Sequence, residues 1–254
     1  YESQKKITTR NGRCLLFLTK RGDVEIQVAF IHGSRSLPAD LSLPLKLALA
    51  YQDVIMTYRY KHQKGGKFMV LRSQLITKEF PELDRVERLN NEAFPEEERI
   101  PLSDFLKLDG RDDYHFFAFY DEDDFVGFAS VLYNAKVFYV SFFAIVPQMR
   151  SHGYGSEIID KLVDFYGPSR SMVLEVERLD EPNDNPEQRA ARWDFYQRNG
   201  FKTSNAFLEY EGLSFEILYR GDHFDEKAYR DIFHKLQENA YFDFSIKHRR
   251  LSDL

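Results

Sequence analysis

The chain has 254 residues, 43% apolar and 15% aromatic, enough to bury a sizeable core in one or two domains. Its 35 Lys and Arg against 41 Asp and Glu give a net charge of −6, which argues against a uniformly basic nucleic-acid face and favours a cationic partner. The single cysteine, Cys14, excludes an intrachain disulfide framework and a Cys-rich zinc site, so no metal is expected and a reducing, cytoplasmic setting fits. The longest apolar run, Val140 to Val146 apart from Ser141, is too short to span a bilayer, and no leader-like segment opens the chain, so no membrane association is expected. The absence of an initial Met allows that the chain is trimmed.

In chain order, "RCLLFLTKRGDVEIQVAFIHG" predicts a hairpin turning at Lys20 to Asp23, because Val24, Ile26 and Val28 alternate with Glu25 and Gln27. Its Arg21-Gly22-Asp23 is turn chemistry rather than an adhesion signal. "GSRSLPADLSLP" is loop-like, "LKLALAYQDVIMTYRY" fits helix or strand, and "KHQKGGK" places a boundary near Arg72. Residues 1–72 thus form an N-terminal region without an assigned role, residues 73–221 the main domain and residues 222–254 a helical tail.

"SQLITKEF" predicts a strand, and "PELDRVERLNNEAF" a helix with Pro81 at its start and Leu83, Val86, Leu89 and Ala93 at helical spacing. "PEEERIPLSDFLKL" follows as a second short helix or loop. Three strands come next, "YHFFAFYDE", "DFVGFASVLY" and "KVFYVSFFAIV", then a glycine-bearing loop and a helix with Tyr154, Ile158, Leu162 and Phe165 on one face. After the strand "SMVLEVERL", Asn185 is expected to cap a helix, with Pro186 first, Gln188 completing a capping-box variant, and Gly200 closing it. Two strands, "FKTSNAFLEY" and "LSFEILYR", precede a tail helix with Tyr229, Ile232, Phe233 and Leu236 on one face.

The loop Arg150-Ser151-His152-Gly153-Tyr154-Gly155 has the form RxxGxG. Gly153 can take a positive φ, Gly155 admits close approach, and the first N–H groups of the helix lack intrahelical partners, so the end attracts anions. The dipole alone contributes about 0.3–1 kcal/mol, so tight binding needs several N–H groups converging on one pyrophosphate. The alternative is an ordinary strand-to-helix turn. Neither GxGxxG nor GxxxxGK[ST] is present.

The order of elements, with "FAIVPQMRSHGYGS", "LEVE" and "RAARWDFYQRNGF" in succession, resembles the GNAT superfamily of acyl-CoA N-acyltransferases over roughly residues 74 to 220. The resemblance implies an α/β (α+β) fold: a GNAT-like mixed, mostly antiparallel central sheet flanked by helices, here with a small β-containing N-terminal region. It implies acetyl-CoA as cosubstrate, its pantetheine pairing with the backbone of Phe143, Ala144 and Ile145. The pyrophosphate would rest on the amides of Arg150, Ser151, His152, Gly153, Tyr154 and Gly155, with Ser156 nearby and His152 a solvated loop residue.

For an amine to attack the thioester, a base must take its proton, a donor must stabilise the oxyanion and an acid must protonate the thiolate. Side chains alternate along "MVLEVER", so Glu175 and Glu177 share a face. The resemblance ranks Glu175 first as base, with Glu177 or water as alternatives, and both carboxylates facing solvent or arginines as the structural option. It also makes Tyr196 the acid for the thiolate and a backbone N–H near Ala144 or Ile145 the oxyanion donor. Two departures stand out: Arg189 occupies the place where many members carry a cofactor-contacting asparagine, and "RLDEPNDNP" is an extra acidic loop. That loop, with "DGRDD" and "DEDD", favours a cationic small-molecule or protein amine acceptor, although each run singly is ordinary solvated turn charge. The competing function is a non-catalytic acyl-CoA sensor or interaction module. Nucleic-acid binding through "KHQKGGK" and the terminal "KHRR" lacks a fold signature and is not expected, and an oligomer stays open.

Overall fold

A computed structural model describes residues 71–181, 185–210, 212–237 and 244–248, apart from the side chains of Glu97, Tyr210, Gln237 and Phe244, together with the backbone of four earlier strands. Those strands are β1 (Lys5–Arg10), β2 (Arg13–Lys20), β3 (Val24–Phe30) and β4 (Val54–Arg59), each antiparallel to the next. β2 and β3 pair as the expected hairpin, and β4 shows strand for residues 54–59 of the helix-or-strand stretch, the rest of which lies outside the described residues. The Arg-Gly-Asp tripeptide, the loop at 33–44 and the basic turn at 61–67 lie outside the described residues.

Two compact units divide the chain: one of residues 1–109, 115–129 and 144–154, the other of residues 110–114, 130–143 and 155–254. In the first, β4 continues antiparallel into β5 (Leu71–Leu75), β5 pairs antiparallel with β6 (Tyr114–Asp121), and β7 (Asp124–Tyr133) lies beside β6. The expectation for β5 was too far along the chain. After Ile76 N donates to the Phe116 carbonyl at 2.7 Å, Thr77 turns the backbone, accepting from Phe80 N on its carbonyl and from Glu79 N on its hydroxyl. A local hydroxyl turn therefore ends what apolar alternation alone would have extended.

Helix α1 (Leu83–Ala93) buries Val86 and Leu89 as its spacing predicts, with Pro81 one residue before the cap position Glu82. The short α2 (Leu102–Lys107) follows a 3₁₀ turn at Glu96–Glu98 and buries Leu102 and Phe105. Phe105 stacks on Phe116 at 5.1 Å, and Phe116 meets Phe128 edge-on at 5.6 Å, so alternate residues of β6 and β7 form an aromatic layer.

The second unit contains the end of β7, most of β8 (Val137–Ile145), α3 (Tyr154–Tyr166) from Gly155, β9 (Ser171–Glu177), α4 (Pro186–Arg198), β10 (Lys202–Tyr210), β11 (Leu213–Arg220), α5 (Glu226–Gln237) and β12 (Phe244–His248). Its strand order is β7-β8-β9-β11-β10-β12. β9 runs parallel to β8 and antiparallel to β11, and β10 is antiparallel to both β11 and β12. β12 escaped the sequence reading because five residues with a single strong apolar alternation do not stand out from a charged tail.

Two helices cover opposite faces of β8. Phe138 stacks on Tyr166 of α3 at 4.5 Å, while Tyr139 meets Tyr229 at 5.6 Å and Phe233 at 5.3 Å, both from α5. Helix α4 starts at Pro186 with Asn185 at the cap and ends with Gly200 at φ +80°. The expected capping box does not form: the Asn185 side chain makes no bond to the helix N–H groups, and its amide donates instead to Gln188 Oε1 at 3.5 Å.

Within the first unit, Gly127 of β7 faces the Ala144 carbonyl so closely that a Cβ would lie 2.1 Å from that oxygen. Gly127→Ala must push one backbone segment off the other and is expected to destabilise the protein by about 1–3 kcal/mol, read as a lowered urea midpoint at unchanged slope.

Candidate active site

The parallel ladder between β8 and β9 is short. It pairs Val137, Phe138 and Tyr139 with Ser171, Met172 and Val173 and then ends, although β8 runs on to Ile145 and β9 to Glu177. On its other side β9 stays paired with β11 along Met172 to Glu177. The backbone of β8 from Val140 to Phe143 therefore lies past the described β9 ladder, which is where an extended ligand chain could form strand-like hydrogen bonds.

In the first unit, the end of β8 leads through Pro147–Met149, a single 3₁₀ turn, into the basic loop. Ala144 is buried and Ile145 partly exposed. Arg150 folds back, its Nε donating to the Ile145 carbonyl at 3.0 Å, so this oxygen already has one partner. Ser151 and Gly153 both take positive φ, +64° and +93°. His152 is exposed with Nδ1 2.7 Å from the Arg150 carbonyl, consistent with a loop-bracing rather than a catalytic role. Tyr154 is buried and its hydroxyl donates to Asp121 at 2.6 Å; burial first, and that bond second, push the phenol up in pKa, and the bond pins the first residue of α3. No pattern in the chain marked Asp121 as that partner or Gly127 as the residue that admits the Ala144 carbonyl.

The second unit holds Phe143, Gly155, Ser156, Glu175 and Tyr196. Phe143, Gly155 and Ser156 are partly exposed. Gly155 admits close approach as expected, but of the Phe195 ring: a Cβ there would lie 2.9 Å from that ring. The first turn of α3 is thus held against α4.

Glu175 and Glu177 lie on one face of β9, yet their partners differ. Glu175 accepts from the Tyr139 hydroxyl at 2.7 Å and, on its other oxygen, from the Tyr229 hydroxyl. Burial raises its pKa to about 7, against the pull of those two hydrogen bonds toward the ionised form. Glu177 pairs with Arg192 of α4, and its carbonyl accepts from the Trp193 indole at 3.2 Å. Arg189 spends one guanidinium N–H on the Arg178 carbonyl at 3.1 Å.

Tyr196 is buried between Phe195 and Phe201, with ring centroids at 5.1 and 5.2 Å. Desolvation pushes its pKa up to about 12, partly countered by the charge of Arg192. It is therefore protonated at neutral pH and has a proton to give, but as a weak acid, so the Arg192 charge that stabilises the phenolate matters to any such transfer. The structure places Tyr196 in the field of Arg192 and Glu177, and places Glu175 with Tyr139 and Tyr229.

The family model for the acetyltransferase (GNAT) domain matches residues 112–203. A protein from Bacteroides thetaiotaomicron assigned to the GNAT acetyltransferase family is 32% identical; the alignment covers 67% of this chain and 98% of that protein, with a TM-score of 0.53. The chain belongs to the GNAT acetyltransferase family, and its mixed, mostly antiparallel sheet with flanking helices is that family's fold. Fainter likenesses include an aminoglycoside 6'-N-acetyltransferase complexed with coenzyme A (15% identity, 58% of this chain and 95% of that one, TM-score 0.46) and the ribosomal-protein-S18-alanine N-acetyltransferase of Escherichia coli (18%, 67% and 99%, 0.44). No curated protein gives a significant match.

The raised pKa of Glu175 has a signed consequence for stability. An unfolded glutamate titrates near 4.5 and the folded one near 7, so the native state holds the extra proton between those values. The contribution is complete below pH 4.5, fades as pH rises through 7 and is constant above, with a span of about 3 kcal/mol at most. His115, whose pKa burial lowers to about 4, gives the opposite slope, so the comparison must be between proteins. Urea titrations of wild type and Glu175→Gln across pH 4 to 8 are expected to differ in the pH dependence of stability between about 4.5 and 7, wild type losing stability relative to the variant there, and to run parallel above pH 7.

Proposed function

We propose that the protein is an acetyl-CoA-dependent N-acetyltransferase that moves the acetyl group to a primary amine by direct attack in a ternary complex. The observation that carries this is the early end of the β8–β9 ladder after Tyr139 and Val173, followed in the chain by the RxxGxG turn with Gly153 at φ +93°. Pantetheine would pair with the backbone of Phe143, Ala144 and Ile145, and the pyrophosphate would take the amides of Arg150 through Gly155 with Ser156 close by. Because the Ile145 carbonyl already accepts from Arg150, the cofactor has to share that oxygen or rely on Phe143 and Ala144.

In this mechanism Glu175 takes the proton of the attacking ammonium or amine, directly or through water. A carboxyl group titrating near 7 is matched to accepting a proton at neutral pH, where an ordinary glutamate is a weaker base. Tyr196 gives its proton to the departing thiolate, with Arg192 lowering the cost of the phenolate. The acceptor is a small molecule or a protein amino group, favoured to be cationic by the acidic runs, and the setting is cytoplasmic given one cysteine. As domain organisation we propose 73–221 as the acetyltransferase domain between an N-terminal region and a helical tail.

A second reading has one specific observation behind it. Both oxygens of Glu175 are already engaged by phenols, as they would be in a protein that binds acyl-CoA without turning it over.

Thiol release from acetyl-CoA across a panel of polyamines, aminoglycosides and peptides separates the two. Transfer is expected with at least one amine, and Tyr196→Phe should keep calorimetric coenzyme A affinity while losing about 10²-fold or more in kcat. Coenzyme binding without transfer to any amine selects the sensor, and no heat at millimolar coenzyme A removes both.

A further inference from the structure

We propose that Tyr229, on a helix outside the residues matched by the family model, is a positioning residue that fixes the Glu175 carboxyl group and sets its proton affinity. This rests on the acetyltransferase reading for its link to turnover, but not for its physical content.

The geometry is specific. Tyr139 holds one carboxyl oxygen of Glu175 at 2.7 Å and Tyr229 holds the other, so the group is gripped from β8 and from α5 at once. Tyr229 has no freedom to leave: it is fully buried, with Tyr139, Phe224 and Phe233 rings at 5.6, 5.6 and 5.0 Å. The start of α5 is tethered in turn. Ala228 N donates to Asp225 Oδ1 at 2.9 Å, Asn134 donates to the Ala228 carbonyl at 2.8 Å, and Ser171 donates to the His223 carbonyl at 2.7 Å. Two turns of chain are thus fastened to put one hydroxyl on one carboxylate.

Among the described residues, the charged and titratable groups acting on Glu175 are few. From β8 comes Tyr139, from α5 comes Tyr229 with Arg230 acting on it, and β11 sets apolar Ile217 opposite Glu175 in the ladder. Each phenol donates to the ionised carboxylate and opposes the burial that drives it neutral. Removing one such bond makes the carboxyl group easier to protonate. A hydrogen bond to a charged group is worth about 1.5–3 kcal/mol, which corresponds to an upward movement of about one to two pH units.

The experiment titrates the Glu175 carboxyl carbon by NMR in the full chain labelled at glutamate, assigned by its loss in Glu175→Gln. In Tyr229→Phe, which keeps the ring and its packing, the midpoint is expected to rise by at least one pH unit. Tyr139→Phe, on the opposite oxygen, should move it the same way and serves if the first variant folds poorly. A midpoint that stays within a few tenths of a unit of wild type overturns the proposal, whatever the activity. Where an amine is acetylated, the acidic limb of kcat/KM must move in parallel, and a limb that stays put while stability alone falls also overturns it. Absence of acetyl transfer in wild type would remove the functional reading and leave the NMR midpoint to decide the proposal by itself.

Discussion

Parallel strands β8 and β9 keep company for three residues and then part, and the candidate chemistry depends on that parting. Tyr139 and Val173 are the last pair. Beyond them β9 stays in the sheet through its antiparallel ladder to β11, so it keeps its shape without its other neighbour. One residue of β8 at the break, Tyr139, reaches forward to Glu175, two residues past the last paired position of β9. The end of a ladder, which in a sheet would be a weak point, is here the place where a buried carboxyl group and the part of β8 beyond its pairing with β9 come into the same neighbourhood.

Two opposed physical effects settle the character of the side chains there. Around Glu175 the loss of water outweighs two phenolic hydrogen bonds, and the result is a carboxyl group poised near neutrality rather than a permanent anion. Around Tyr196 the same loss of water wins over the attraction of Arg192, which leaves a reluctant acid. Arg192 is also committed to Glu177, so one guanidinium balances a carboxylate and a potential phenolate. That sharing explains why two glutamates on one strand face have such different company: one is paired with a cation, the other is surrounded by neutral donors.

Much of this was legible in the chain. Period-two and period-3.6 patterns found β6 to β11 and α1, α3 and α5 through their buried faces, whereas α4, which buries only Tyr196, was signalled by Asn185 and Pro186 at its start and Gly200 at its end. The Arg150 to Gly155 turn announced itself through its glycines. What was not legible depends on distant partners. β5 stops at Leu75 because Thr77 folds a local turn, which competes with a strand only once Phe116 supplies the final ladder bond. Asn185 has the residue type of a cap but spends its side chain on Gln188. Gly127 looks like an incidental glycine until the Ala144 carbonyl is seen against it, and Tyr229 looks like one more apolar rung on an amphipathic helix. Its hydroxyl is the informative atom, and no spacing rule reports where a hydroxyl ends up.

β12 runs antiparallel along Ala206 to Tyr210 of β10, with Lys247 set 2.5 Å from Glu209 across the pair. Were these five residues removed by proteolysis or truncation, β10 would become a bare margin, with a row of amides and carbonyls turned to solvent and apolar Phe207 and Leu208 beside them. Solubility would then hinge on a short charged fringe near the carboxyl end, and shortened forms of the chain would be prone to self-association by strand addition.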